Sequence, residues 1–157
     1  MDKRTLNIAC GEFDKWGTDK LDREYFGRDD IRIFDLNSRR KLPFKKNTFD
    51  EIKCWNVIQI LFYPQELINE CYRILKPSGK LGISTLDSEN IFWYFFPPRD
   101  NPVRWGKPTY NNGQTTGLYN LNALSNRLKH AGFKILSTGK ESHRFPFNDY
   151  FYIHCKK

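Results

Sequence analysis

Leu6-Asn7-Ile8-Ala9-Cys10-Gly11 is an apolar run closing on small residues, the pattern of a short buried strand that feeds a tight turn. Working outward, Leu6 to Cys10 is the first strand and Thr18 to Leu21, ending at Asp22, is the second. The gap between them is too short for loop, full helix and loop, so the first crossover must shrink to a turn or a single helical turn. Ile31-Arg32-Ile33-Phe34 stops at Asp35 and reads as the third strand; Phe49 to Trp55, after the turn residue Asn47, is the fourth. Pro64 suits the first turn of a helix. Leu67, Ile68, Cys71, Ile74 and Leu75 then recur on one helical face, and Pro77 with Gly79 ends that helix. Leu81 to Leu86 is the fifth strand. Leu121, Leu124, Leu128 and Ala131 form a second helical stripe capped by Gly132, and Phe133 to Ser137 with Tyr150 to Cys155 make a closing antiparallel pair. Strands alternating with helices predict an α/β fold, a doubly wound, mostly parallel sheet forming one domain over 1–157.

Composition narrows the class. The chain has 157 residues, 39% hydrophobic and 28% charged, as expected of a globular domain with a substantial core. No apolar run approaches the roughly 18 to 20 residues that span a bilayer, and Met1-Asp2-Lys3-Arg4 lacks the apolar segment of a signal peptide. A cytoplasmic protein with no membrane partner is the expectation. Cys10, Cys54, Cys71 and Cys155 form no Cys-x-x-Cys pair, and the histidines at 130, 143 and 154 are scattered, so no metal site is expected. A net charge of +8 favours an acidic partner such as nucleic acid or a phosphorylated metabolite, although solubility alone also accounts for it.

Three segments in order, Leu6 to Gly11, Leu42-Pro43-Phe44 leading into Phe49-Asp50-Glu51-Ile52, and Arg73 to Leu81, resemble the class I S-adenosylmethionine-dependent methyltransferases. The nearest branch is the small one whose first motif reads Leu-Asn-Leu-Gly-Cys-Gly. The resemblance implies a Rossmann-like sheet of seven strands in the order 3-2-1-4-5-7-6 with the last antiparallel, here without the N-terminal helices. It implies S-adenosylmethionine as cofactor, held at the carboxyl ends of the strands. Ala9, Cys10, Gly11 and Glu12 would lie beside its methionine part. Asp22 would accept from the ribose hydroxyls, with Asp19 the competing choice. Asp35 would take the adenine amino group and the Leu36 N–H a ring nitrogen, while Trp55 and Asn56 would line the pocket. Asp50 looks structural. Asn56, Gln59 and Ile60 stand where the family often has His, Glu and His, so this segment offers no evident general base and no catalytic residue is named.

Between Asp87 and Tyr119 the periodicity breaks, and a loop of that length is usually functional when rich in aromatics. Trp93, Tyr94, Arg104, Trp105 and Tyr110 are the candidate substrate residues there, as a lid or stacking wall; a hydrophobic cover for the sheet is the equal alternative. The acceptor is expected to be a small or sugar-like metabolite. A nucleic-acid acceptor on the basic surface is the second reading, and a non-catalytic cofactor-binding or scaffold protein the third. A second copy of the chain could complete the acceptor side as a homodimer.

Overall fold

The computed structural model describes residues 2–12, 14–87, 119–143 and 148–157. Seven strands form one sheet: β1 Thr5–Ile8, β2 Asp19–Asp22, β3 Ile31–Ile33, β4 Phe49–Trp55, β5 Leu75–Leu86, β6 Lys134–His143 and β7 Asn148–Lys156. Helix α1, Pro64–Ile74, precedes β5, and helix α2, Leu121–His130, precedes β6. The sheet order is β3-β2-β1-β4-β5-β7-β6. Only β7 runs antiparallel to its neighbours β5 and β6. This is the order and the single reversal that the sequence resemblance implies. The aromatic candidates Trp93, Tyr94, Arg104, Trp105 and Tyr110 lie outside the described residues. No described helix is long and apolar enough to cross a membrane.

Winding direction places the layers. Right-handed crossovers moving rightward from β4 to β5 pass over one face of the sheet, and those moving leftward from β1 to β2 and β3 pass over the other. Helix α1 therefore covers one face, burying Leu67, Ile68, Cys71 and Ile74. Helix α2 lies beside it with Leu124 and Leu128 buried, joined by Gln65 Nε2 donating to the Arg127 carbonyl at 3.2 Å. Leu6, Ile8, Ile52, Cys54, Leu81, Ile83, Phe151 and Ile153 meet the helices as one core. On the other face the described residues of the connections 9–18 and 23–30 form no helix. The winding is double, but the described helices form a single layer.

Helix α1 ends earlier than the Pro77 and Gly79 signals suggest. It stops at Ile74, and Leu75 is already extended and paired with Phe49. The terminal carbonyls of Arg73 and Ile74 accept the Asn47 and Thr48 N–H groups at 3.1 and 2.7 Å, which satisfies orphan acceptors at the helix end. Residues 76–79 instead make a bulge between the Phe49 and Glu51 register positions. Thus β5 starts at Leu75, not Leu81. The first strand is correspondingly shorter, ending at Ile8, where Ala9 turns to a positive φ of 54°.

Gly132 closes α2 as read from the sequence, at φ 102°. Its N–H reaches the Lys129 carbonyl at 2.9 Å and the Phe133 N–H the Leu128 carbonyl at 3.0 Å, a left-handed helix cap. A Cβ there would lie 2.9 Å from the Tyr72 ring. Gly132→Ala is therefore expected to cost about 1–2 kcal/mol for the left-handed backbone alone, plus displacement of Tyr72. Urea unfolding checks this, and an unchanged midpoint would refute the cap assignment.

Candidate cofactor-binding edge

The carboxyl ends of β1, β2 and β3 are laced together. The Ala9 N–H donates to the Leu21 carbonyl at 2.8 Å, and the Phe34 N–H donates to the Asp22 carbonyl at 2.7 Å. Between them the Gly11 N–H donates to Asp22 Oδ2 at 2.9 Å. The other Asp22 oxygen accepts the Arg23 and Glu24 N–H groups at 2.7 and 3.2 Å. The carboxylate thus staples the turn after β1 to the end of β2. Gly11 sits at φ 64°, and a Cβ there would meet nothing within 4 Å, so its backbone faces open space. Asp19, the competing acid, starts β2 and is held in a fork by Arg4 at 2.9 and 2.8 Å. That is about 10 Å down the strand from Asp22.

Cys10 is buried and Glu12 exposed. Burial, and next the Asp22 charge, push the Cys10 thiol above its ordinary value, so it is no nucleophile. The connection that carries these residues is pinned without a helix. Arg28 Nη1 donates to the Glu12 and Asp14 carbonyls at 2.8 and 3.1 Å. Asp14 pairs with Lys53 of β4, whose ammonium also lies 5.8 Å from the Trp16 ring centre.

Asp35 follows β3 and is exposed; its Oδ1 accepts the Asn37 N–H at 2.9 Å. Asn37 Oδ1 in turn accepts the Phe62 N–H at 2.9 Å, joining this turn to the segment after β4. Leu36 faces the other way in part. It lines a groove of about 240 Å³ with Phe34, Arg40, Leu42, Leu67 and Glu70, on the α1 side rather than at the Gly11–Asp22 edge.

Trp55 and Asn56 are less close to that edge. The Trp55 ring lies on the side away from β1, 3.3 Å from where a Gly82 Cβ would stand on β5. Asn56, exposed and at φ 54°, donates its N–H to the Ser84 carbonyl at 3.1 Å. The structure therefore brings Ala9, Cys10, Gly11, Asp22 and Asp35 to one edge and sets Trp55 toward β5 and β7.

Two neighbours of this edge take roles that the sequence reading does not assign. Gln59 is 6% exposed; its Nε2 donates to the Asn56 carbonyl at 2.9 Å and its Oε1 accepts from Thr85 Oγ1 at 3.1 Å. It braces the ends of β4 and β5 and is no base. Asp87, at the carboxyl end of β5, is 2% exposed and pairs with Lys140 Nζ of β6 at 2.6 Å. An acid directly after a strand is the available signal for Asp87; Gln59 is marked in the sequence only as the replacement for the family's usual Glu, and nothing local announces that it braces two strand ends.

Acidic groups around the scaffold are held ionised. Arg28 brings Asp30 down to about 2, Arg4 lowers Asp19, and Lys76 lowers Asp50. Burial works upward on Asp14 and Glu70 but is outweighed by Lys53 and Arg73, so both end below the usual range. Groups with depressed folded values contribute stability above their unfolded values, near 4 (about 3.9 for Asp and 4.3 for Glu), and lose it as pH falls through the folded ones. Stability should therefore be flat from about pH 7 to 5 with respect to these groups and fall from about 4 toward 2. Urea midpoints across that range check the sign, and a rise on acidification would contradict it.

The described residues contain no cluster suited to a metal ion. Comparison with known proteins agrees with the geometry. A sequence model of the methyltransferase-domain family matches residues 9–83. The ubiquinone/menaquinone biosynthesis C-methyltransferase UbiE of a Ruegeria species is 52% identical over 42 residues, 27% of this chain and 17% of that protein. A probable S-adenosylmethionine-dependent methyltransferase of Mycolicibacterium smegmatis is 29% identical over 116 residues, 74% of this chain and 39% of that one. The chain thus spans well under half the length of these curated relatives. Among solved structures, the Burkholderia thailandensis 1,6-didemethyltoxoflavin-N1-methyltransferase superposes with a TM-score of 0.72 at 13% identity, over 99% of this chain and 71% of that one.

Proposed function

We propose that this chain, which has the class I S-adenosylmethionine-dependent methyltransferase fold, holds that cofactor across the carboxyl ends of β1 to β4 and transfers its methyl group to an acceptor. The observation that carries the reading is the staple of Gly11 to Asp22 at the edge where ligands of such sheets bind. The residues fit the group. Gly11 opens onto free space, giving a methionine moiety close access to backbone. An ionised carboxylate offers about four lone-pair sites, and Asp22 has three backbone N–H groups on it, so it retains capacity for one ribose hydroxyl. Asp35 retains Oδ2, and with the Leu36 N–H it suits the adenine edge.

The cofactor supplies an electrophilic methyl group on sulfur. The chain's own residues bind and orient. Cys10 stays protonated, and Gln59 is occupied as a brace, so neither removes a proton from the acceptor. An amine or ring nitrogen, which needs little base assistance, is the matching nucleophile, and positioning supplies the rate. The acceptor we favour is a small or sugar-like metabolite. The Burkholderia neighbour is a 1,6-didemethyltoxoflavin-N1-methyltransferase with bound 1,6-didemethyltoxoflavin and S-adenosylhomocysteine. A nucleic-acid acceptor is the second reading, favoured by the +8 charge and by the sheet face treated below. A second copy completing the acceptor side belongs to the same proposal, and a clean, active monomer in sedimentation would count against it.

Titration calorimetry with S-adenosylmethionine and S-adenosylhomocysteine tests the core of the reading. Binding of both is expected; no heat with either would overturn it.

A further inference from the structure

The sheet face opposite the helices carries an ordered pattern that the cofactor edge does not use. Strand register sets its side chains in rows. Glu51, Lys80, Lys156 and Lys134 lie abreast on β4, β5, β7 and β6. One row on, Gly82 is opposite His154, and His154 is opposite Ser137; one row further, Ser84 is opposite Tyr152 and Tyr152 opposite Gly139. Lys80 and Lys134 are exposed and Lys156 half-buried. Glu51 is taken by Lys3, and none of the three lysines has an acidic partner among the described residues. Like charges directly opposite on neighbouring strands destabilise a sheet, so the row is unfavourable unless an anion lies across it.

The rows nearer the carboxyl edge are aromatic. Trp55 and His154 have ring centres 6.0 Å apart at 81°, and Tyr152 and His154 5.4 Å apart at 61°, so the His154 ring stands edge-on between the two larger rings. A Cβ on Gly139 would clash with the Tyr152 hydroxyl, and one on Gly82 would fall 3.3 Å from both Trp55 and His154. Tyr152 and Trp55 therefore lie down over glycines, with ring area facing outward from the sheet. Covering a glycine explains the rings alone; it does not explain the lysines.

We propose that this face binds single-stranded nucleic acid, with phosphates on Lys80, Lys134 and Lys156 and bases stacked on Trp55 and Tyr152, on either side of the edge-on His154 ring. Lysines that follow the backbone beside aromatic platforms are the chemistry of such binding. A duplex hides its base faces and gains only the charge term. A strand anchored on the lysine row runs, over the aromatics, toward the edge that bears Gly11 and Asp22. Binding itself does not depend on the cofactor reading, and the test below uses no cofactor.

Fluorescence anisotropy with labelled single-stranded RNA and DNA of roughly twelve nucleotides is the experiment. Wild type is expected to bind, with log affinity falling linearly in log salt. The triple variant Lys80→Gln, Lys134→Gln, Lys156→Gln should lower the magnitude of that slope by about two to three contacts. It should also melt no lower than wild type, since like charges have been removed. Tyr152→Leu should weaken binding about fivefold to a hundredfold at unchanged slope. No binding at low salt, or triple-variant binding equal to wild type, would overturn the proposal. So would equal binding to duplex and to phosphatidylserine vesicles with no loss in Tyr152→Leu, which marks a plain basic surface.

Discussion

Asp22→Ala is expected to weaken S-adenosylmethionine binding about tenfold to a hundredfold. Hydrogen bonds to an ionised group are worth about 1.5–3 kcal/mol, and each 1.4 kcal/mol is about a factor of ten in affinity. The variant removes the proposed ribose acceptor and also frees the Gly11 N–H that Asp22 holds at 2.9 Å, so the turn after β1 loses its tie to β2. The two effects separate by experiment. Asp22→Asn keeps one oxygen for backbone N–H groups but brings an NH₂ against another of them. It should unfold at a urea concentration between wild type and Asp22→Ala, since one of the two oxygens is kept, while still losing affinity. Asp19→Ala breaks the Arg4 fork at the opposite end of β2 and should leave cofactor affinity unchanged. Calorimetry showing Asp22→Ala equal to wild type would overturn the ribose assignment while leaving the fold untouched.

That contrast shows where the sequence was informative. Asp22 and Asp19 are both acids in the same four-residue strand, and only strand direction assigns Asp22 to the ligand edge. Direction followed from the alternation of strands and helices and from the family resemblance, and the short gap after the run at Leu6 then requires a compressed crossover. The compression was legible; its consequence was not. Nothing in residues 9–18 announces that Asp14 and Trp16 fold down onto Lys53, because those partners meet only once β1 and β4 are paired. The helix end was misplaced for a similar reason. Pro77 and Gly79 are strong local stop signals, yet pairing of Leu75 with Phe49 ends the helix before they are reached. Gln59 is the clearest limit, since its contacts with Asn56 and Thr85 define its role and Thr85 lies far along the chain on β5.

One feature of the strands was written in the sequence in full. In β4, Ile52 and Cys54 are buried while Glu51, Lys53 and Trp55 are only half-buried; in β7, Phe151, Ile153 and Cys155 alternate with Tyr150, Tyr152, His154 and Lys156. Central strands of a parallel sheet clad on both sides read as continuous apolar runs. Period-two alternation in this fold therefore signals that one cladding layer is thin, which is the condition that the proposed nucleic-acid platform requires.

Phe151→Ala tests that asymmetry with the largest stability effect expected in the chain. Phe151 is fully buried, at 0% exposure, on the helix-covered face of β7, between Thr85 of β5 and Lys140 of β6 in register. Truncating a buried Phe costs about 3–5 kcal/mol, the transfer term plus the cavity left behind. A domain is typically stable by about 5–15 kcal/mol, so the variant should unfold at much lower urea and approach the threshold of folding at 37 °C. His154→Ala, three residues along the same strand but on the opposite face and exposed, should shift stability by no more than about 0.5 kcal/mol. The two substitutions share a strand, so strand propensity and hairpin position do not separate them; only the face does. Near-equal losses in equilibrium unfolding would mean that both faces are packed alike. The open platform and the single helical layer would then fall together.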